Sequence, residues 1–478
     1  MTIDAAAIES AVREILAGMD ITGPAGPSSG TPAPPPSEVE GDGVFLDMDD
    51  AVAAAVEAAK VYRRCSMADR RRFVAAIREC MLDEENLHHM ASQAVLETGM
   101  GDVAHKYLKN TIAAQTTPGV EDLETSAWSG DEGLTTVEYS AYGVIGAITP
   151  TTNPTETVTN NAIGMLAAGN TVVFSPHPRA KNLSLWQVRT MNKALRAVDA
   201  PENMIVTVAE PSIENTNKMI AHRGIQMLVA TGGPGIVRAV LRSGKKAIGA
   251  GAGNPPVVVD ATADIPHAAK CIVDGASFDN NLPCTAEKEI IAVDAVAALL
   301  KFNMVKNGAY EAFAEEIAKL EELVLNEKHT GPNTDWVGKP AAQILEAIGI
   351  EPEPGVRLIV CEVGADHPFV VHELMMPVIG LVRAPDVDAA IALAVKLEKG
   401  NRHTAIMHSR DVKALTRMGR EIQTTIFVKN GASFAGLAIG GEGYGTWTIA
   451  GPTGEGLTRA RNFCRVRRCV LVDDLNVR

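Results

Sequence analysis

The chain has 478 residues, is 46% hydrophobic and 21% charged, and carries a formal net charge of −14. That length holds two or three ordinary domains, and that composition buries large cores, which excludes a disordered chain. The acidic excess argues against nucleic-acid partners, no run approaches the roughly 18 apolar residues of a membrane span, and Asp4 and Glu9 fall where a secretory leader needs basic and apolar residues, so a cytoplasmic protein is expected.

In the first 20 residues, Ile8, Val12, Ile15, Leu16 and Met19 recur at helical spacing, while Asp4, Glu9, Arg13 and Glu14 take other positions. This is a short amphipathic helix. Residues 21–43, ITGPAGPSSGTPAPPPSEVEGDG, are rich in Pro, Gly and Ser and read as a flexible or extended linker. A helix on such a tether does not belong to the core. It either docks on a neighbouring subunit or binds another protein through its apolar face as an address peptide.

From about Val44 to His89 the pattern is helical and Ala-rich, and Gly99 in LETGMG closes a helix. LTTVEYSAYGVIGAITP (134–150) predicts an extended strand or hairpin followed by a buried strand. Strands are then expected at 170–176, 204–210 and 225–233, a helix at 235–243, and a strand at 254–260. This order, with Val/Ile-rich strands, predicts a mostly parallel sheet flanked by helices. A second alternating block follows residue 284: a strand in EIIAVDA, helices to about 325, strands in RLIVCEV and MPVIGLVRA, a helix at 386–398, and strands in HTAIMHS and TTIFVKN. Two α/β domains are expected, with ligands at the carboxyl ends of their strands.

Gly232, Gly233 and Gly235 lie between a strand and a helix, where backbone amides could hold a phosphate. GAGAGNPP (249–256) precedes a strand and so fails the context of the usual dinucleotide fingerprint. Taken alone, either cluster is better explained by tight turns and close packing. Thr149, Thr151, Thr152, Asn153 and Thr155 crowd the end of a buried strand, which suits an oxyanion or ribose site or an ordinary polar turn. The seven cysteines, at 65, 80, 271, 284, 361, 464 and 469, form no Cys-x-x-Cys pair, and the eleven histidines show no metal-ligand spacing, so neither a disulfide frame nor a metal site is expected. Most cysteines are small, buried and inert. Cys284 differs because Pro283 places it in a loop between a helix and a strand, while the other six sit in helical or strand patterns.

The stretches YGVIGAITPTTNPTET, GMLAAGNTVVFSPHPRAK, ATGGPGIVRAV, GKKAIGAGAGNPPVVVD, NNLPCTAEKE, HELMMPV, HTAIMHS, FVKNGASFAG and PTGEGLTRARNFCRVRRCVL occur in series from about Leu46 to the C-terminus. In this series the chain resembles the aldehyde dehydrogenase superfamily, and within it the CoA-acylating branch of bacterial microcompartments. The resemblance implies an α/β fold: a Rossmann-like nucleotide-binding domain at 44–122 and 144–258, a catalytic domain at 259–457, and a small β oligomerisation element at 123–143 and 458–478. It implies Cys284 as nucleophile, an acyl thioester on its sulfur, NAD+ as hydride acceptor and CoA as acyl acceptor. The oxyanion falls to the Cys284 amide and to Thr152 or Asn153, because the family's Pro-x-Asn-x-Pro appears here as Pro150-Thr151-Thr152-Asn153-Pro154.

Cofactor contacts are implied at Thr149, Pro150, Thr151, Ser175, Pro176, His177, Gly232, Gly233, Gly251 and Glu373. Ser175 stands where relatives carry a lysine, and Glu373 matches the family's glutamate on the nicotinamide ribose. Hydrolytic relatives carry Glu-Leu-Gly-Gly-Lys where this chain has Gly249 to Gly253, so the carboxylate that activates water is missing. A thiol acceptor needs less activation than water. The implied activity is oxidation of a short aldehyde, propanal over acetaldehyde, to acyl-CoA. The implied assembly is a homo-oligomeric dimer or tetramer inside a microcompartment, joined to shell or core proteins through residues 1–20. Rival readings are a hydrolytic dehydrogenase, a scaffold on a dead dehydrogenase fold, and an enzyme running mainly as an acyl-CoA reductase.

Overall fold

The computed structural model describes residues 41–477. The helix expected at 1–20 and the linker up to residue 40 lie outside the described residues. The first strand, β1 (Val44–Phe45), runs into four helices: α1 (Met48–Tyr62), α2 (Met67–Leu82), α3 (Glu84–Thr98) and α4 (Val103–Thr116). Each helix starts where a side chain caps it, at Asp47, Ser66, Asp83 and Asp102. Gly99 ends α3 in the left-handed region, at φ 70°, which an L side chain would strain. The helical reading of 44–89 needs one correction, since Val44 and Phe45 pair in parallel with Thr207 and Val208. Two residues carry too little pattern to announce a strand; the neighbouring strand supplies it.

Next come β2 (Ser126–Gly130), β3 (Gly133–Ala141), β4 (Val144–Thr149), α5 (Pro154–Ala167), β5 (Thr171–Pro176), α6 (Lys181–Ala197), β6 (Ile205–Val208), α7 (Ile213–Ala221), β7 (Met227–Thr231), α8 (Pro234–Leu241) and β8 (Lys246–Ala250). Six of these strands form a parallel sheet in the order β1-β6-β5-β4-β7-β8. Its centre is apolar on both faces: Ile145, Ala147, Val172, Val173, Phe174 and Val229 are all 0% exposed. Burying each larger side chain contributes roughly 1.5–3 kcal/mol. Sequence reading missed β8, whose glycine-broken run hides a strand that only its pairing with β7 reveals.

The second sheet follows: β9 (Pro256–Val259), α9 (Ile265–Ser277), β10 (Glu289–Val293), α10 (Asp294–Lys306), β11 (Ala309–Ala312), α11 (Ala314–Val324), α12 (Ala341–Ala347), β12 (Leu358–Glu362), α13 (Pro368–Val371), β13 (Val378–Ala384), α14 (Val387–Glu398), β14 (Thr404–His408), α15 (Val412–Ile422) and β15 (Ile426–Lys429). Its seven strands are parallel in the order β11-β12-β13-β10-β9-β14-β15. Two expectations are corrected here. The division at 258/259 falls inside β9, which pairs with β10 and β14, so the chain crosses between sheets at 251–255. The helical stretch to 325 is interrupted by β11, an edge strand on β12.

A short hairpin, β16 (Ile449–Ala450) and β17 (Gly456–Leu457), precedes β18 (Cys464–Val472). That last strand pairs antiparallel with β3, and β3 with β2, in a separate three-stranded sheet. Val466, Val470 and Val472 on β18 are more than half exposed. Of the other cysteines, Cys65 lies in the turn after α1 instead of in a helix or strand, and Cys469 on β18 is exposed. Among the described residues no helix is long and apolar enough to cross a membrane.

Candidate active site

The carboxyl ends of β4, β5, β7 and β8 open onto one side of a cavity of about 670 Å³, and loops of the second sheet close the other. The first sheet contributes Thr149 to Asn153 after β4, Ser175, Pro176 and His177 from the end of β5, Gly232 and Gly233 after β7, and Gly251 after β8. The second contributes Cys284 and Glu373. All thirteen side chains and glycines picked out in the sequence therefore face one space. The reason is topological: parallel strands end together, so residues far apart in the chain meet at one edge.

Cys284 sits in a tightly held turn. Asp279, Asn280 and Asn281 adopt φ of 48°, 52° and 64° in succession. Asp and Asn tolerate this conformation best among non-glycine residues, yet each such residue costs of order 1–3 kcal/mol and needs support. The support is explicit. The Asn280 amide donates to the carbonyls of Gly101 (3.1 Å) and Gly338 (3.0 Å). The Asn281 amide donates to those of Ala276 (2.8 Å) and Glu287 (2.9 Å). Buried Lys288 donates to the Asn281 backbone and side-chain oxygens, both at 2.7 Å, and to the Pro283 carbonyl at 3.3 Å. Glu287 accepts from the Ser433 amide (2.8 Å) and hydroxyl (2.6 Å), and burial pushes its carboxyl up to about 7.

Burial pushes the Cys284 thiol up to about 12, and the nearby Glu373 carboxylate adds to the shift. Lys288, the Cys284 amide and Lys109 act the other way. Part of the Cys284 residue stays open to the cavity, so the sulfur is reachable although its surroundings are apolar. Burial also lifts Glu373 to about 7, against the pull of Lys288. Thr149 Oγ1, Thr151 Oγ1 and Glu373 Oε1 are buried without a hydrogen-bond partner. No atom lies within 4 Å of where a side chain would start at Gly233 or Gly251, and α8 begins at the cavity with no side-chain cap. Unpaired hydroxyls, a carboxylate, open glycines and free helix amides together fit the phosphates and sugar hydroxyls of a nucleotide. Ser175 Oγ lies 2.8 Å from Thr216 Oγ1. Glu373 is the one carboxylate on the cavity wall among the described residues. A side chain at Gly249 would meet Val237 at 2.7 Å, so the position is walled off from holding a carboxylate.

Sequence reading missed several groups. His403 lines the cavity, and burial followed by Lys288 pushes its imidazole down to about 4, so it is neutral. Its Nδ1 lies 2.9 Å from Thr404 Oγ1. Its stretch, HTAIMHS, was visible as a strand, but nothing local aimed its first residue inward. Leu437, Trp447 and Ile449 supply apolar wall from segments more than 150 residues beyond Cys284. Lys106 and Lys109 on α4, which the sequence reading did not single out, are fully buried. Among the described residues no group of three or more His, Cys, Asp or Glu side chains is placed to hold a metal ion.

Comparison with known proteins agrees with this architecture. The model of the aldehyde dehydrogenase family matches residues 44–310. The chain is 49% identical to a propanal dehydrogenase (CoA-propanoylating) of Citrobacter freundii, across 93% of this chain and 96% of that protein. It superposes on the Rhodopseudomonas palustris propionaldehyde dehydrogenase with bound CoA and an acylated cysteine, with a TM-score of 0.90 and 61% identity over 92% of this chain and 100% of that one. It superposes equally on a propionaldehyde dehydrogenase from the fucose utilisation microcompartment of Clostridium phytofermentans, with a TM-score of 0.89 and 50% identity over 91% of this chain and 100% of that one. With a family model over more than half its length and near-complete coverage by these relatives, the chain belongs to the aldehyde dehydrogenase family, in its CoA-acylating branch.

Proposed function

We propose that this protein oxidises propanal to propionyl-CoA with NAD+ and CoA, through a thioester on Cys284, inside a bacterial microcompartment. The observation that carries the reading is the joint placement of Cys284, the polar end of β4 and an open nucleotide cradle in one cavity whose single carboxylate is Glu373. The Cys284 thiol gives up its proton to solvent in the open cavity, the resulting thiolate adds to the aldehyde carbon, and the new alkoxide accepts hydrogen bonds from the Cys284 amide and from Thr152 or Asn153. Loss of hydride leaves an acyl thioester on the sulfur, and attack by a second thiol frees it. Bound NAD+ accepts the hydride, and bound CoA supplies that second thiol. Glu373 Oε1 and the Thr149 and Thr151 hydroxyls are the free groups for sugar hydroxyls, and Gly233 and Gly251 leave room for phosphates. Leu437, Trp447 and Ile449 wall the cavity for a short alkyl chain. One methylene is worth roughly 1–3 kcal/mol in such a pocket, so acetaldehyde reacts too, with lower kcat/KM.

The test is NADH release from propanal with and without CoA. Without CoA, release is expected to stop near one equivalent per Cys284. With CoA it continues and propionyl-CoA accumulates. Steady NADH release without CoA would show that water is being activated and would overturn the acyl-transfer reading.

We also propose that residues 1–20 address the enzyme to shell or core proteins, and that the sheet β2-β3-β18 builds a homo-oligomer. The exposed valines of β18 and the amphipathic spacing of residues 1–20 support this. Deleting residues 1–20 is expected to leave kcat unchanged and to abolish co-sedimentation with the compartment. Undiminished co-sedimentation of the deleted form would sink the address role.

A further inference from the structure

We infer that Lys109 is a positioning residue for the reaction: its ammonium turns the Asn153 amide toward the developing oxyanion and ties that amide to the turn that carries Cys284. The inference rests on the acyl-transfer reading above and deepens it, because it decides between Thr152 and Asn153.

The geometry is a buried cluster spanning both halves of the site. Lys109 Nζ lies 2.6 Å from Asn153 Oδ1, 2.6 Å from Asp279 Oδ2 and 2.9 Å from Glu156 Oε1. Lys106 Nζ lies 3.1 Å from the same Asp279 oxygen and 3.1 Å from the Thr152 carbonyl. The side chains of Lys106, Lys109, Asp279 and Glu156 are 0% exposed, and two cations face two anions. Burial alone would strip the Lys109 charge, but Asp279 and then Glu156 hold its ammonium above the usual range.

An ammonium has only protons to offer. It therefore fixes which end of the Asn153 amide faces it: the oxygen. The NH2 end must point the other way, where its one partner among the described residues is Thr152 Oγ1 at a long 3.3 Å. Asn153 and Cys284 line the same cavity, and the amide's second proton is left for an oxyanion there. Asn153 also stands at the N-cap of α5 and makes no side-chain cap bond. An asparagine there ordinarily caps the helix; this one gives up that bond and takes Lys109 instead. The same ammonium holds Asp279, five residues before Cys284, whose backbone already needs support at φ 48°. One ion thus fixes donor and nucleophile relative to each other across the two sheets.

The test compares kcat and KM for propanal in three variants: N153A, K109M/E156Q, and the triple combination. Pairing K109M with E156Q removes one cation and one anion, so the remaining cluster stays balanced. N153A is expected to lower kcat about 10²–10³-fold, K109M/E156Q about ten- to hundredfold with KM changed little, and the triple variant no further than N153A alone. Groups that act through one another are non-additive in this way. If the double variant does not fold, K109R, which keeps the charge but moves the donor, carries the same comparison. The inference is overturned if the Lys109 variants keep wild-type kcat, or if their losses multiply with that of N153A. Full activity in N153A would remove the oxyanion role and Lys109 with it. A wild-type enzyme that makes no acyl-CoA would instead sink the functional reading itself.

Discussion

Replacing Cys284 with alanine is expected to lower acyl-CoA formation by about 10⁴-fold or more, the scale seen when a covalent nucleophile is removed. No other thiol can substitute. Cys271 is buried on α9 and Cys361 on β12, Cys464 lies against the first sheet, and Cys65, Cys80 and Cys469 are outside the cavity. The fold should barely notice, because the turn is held by Asn280, Asn281 and Lys288, none of which bonds to the sulfur. Losing one sulfur there costs about 1 kcal/mol at most. The measurement is propionyl-CoA release alongside thermal unfolding. Alanine enzyme with more than about 1% of wild-type rate would exclude a thioester on Cys284, since uncatalysed routes contribute far less. The same variant separates an enzyme from a scaffold, which would lose nothing.

The second large effect concerns pH. A thiol held near 12 stays protonated below that value, so in the free enzyme the thiolate is a small minority at neutral pH. Relative to an ordinary thiol near 8.5, the thiolate fraction at pH 7.5 falls by about 10³-fold. Alkylation of Cys284 by iodoacetamide should therefore be slow at pH 7.5 and still rising at pH 10, whereas exposed Cys469 should react quickly. Glu373 is named among the causes, after burial, and it is charged only above about 7. E373Q should then speed Cys284 alkylation by about tenfold at pH 8 and above and leave it unchanged at pH 5.5, the size expected of one neighbouring charge. The same variant should weaken turnover by removing the carboxylate with the free oxygen. Faster alkylation with slower turnover is a combination that general loosening of the site would not give at one pH alone. An alkylation profile levelling off below pH 8 would show that the sulfur is not held in an apolar setting.

Both predictions bear on how the reaction begins. Burial makes the sulfur a poor nucleophile in the free site, and Lys288, whose own ammonium burial disfavours, is the largest influence favouring ionisation of the sulfur. Lys288 also holds the turn by three oxygen contacts, so its charge and its geometric role cannot be separated by a neutral replacement. A site built this way keeps the thiol quiet until reactants arrive, which suits a chain carrying seven cysteines and no disulfide.

The sequence by itself determined most of the strands and helices of both sheets, though not β1, β8 or β11, and the helix end at Gly99; the thirteen site residues named from Thr149 to Glu373 all line the cavity. The elements were legible because prolines and glycines act locally, as Pro154 does in starting α5, whereas the site residues were read mainly from the family resemblance; α9 already ends at Ser277, well before Pro283. Several matters were decided only by the tertiary structure. Val44–Phe45 and β8 became strands because a partner strand offered hydrogen bonds. The boundary moved to 251–255 because β9 found its neighbours in the second sheet. Lys106 and Lys109 on α4, on which the sequence reading was silent, lie fully inside because Asp279 and Glu156, distant in the chain, arrive to balance them. His403 is buried as a neutral imidazole, with Thr404 Oγ1 beside its Nδ1. Local sequence sets which shapes a segment can take, but burial of charge is settled by partners from elsewhere, since an ion enters an apolar interior only when an opposite charge meets it there.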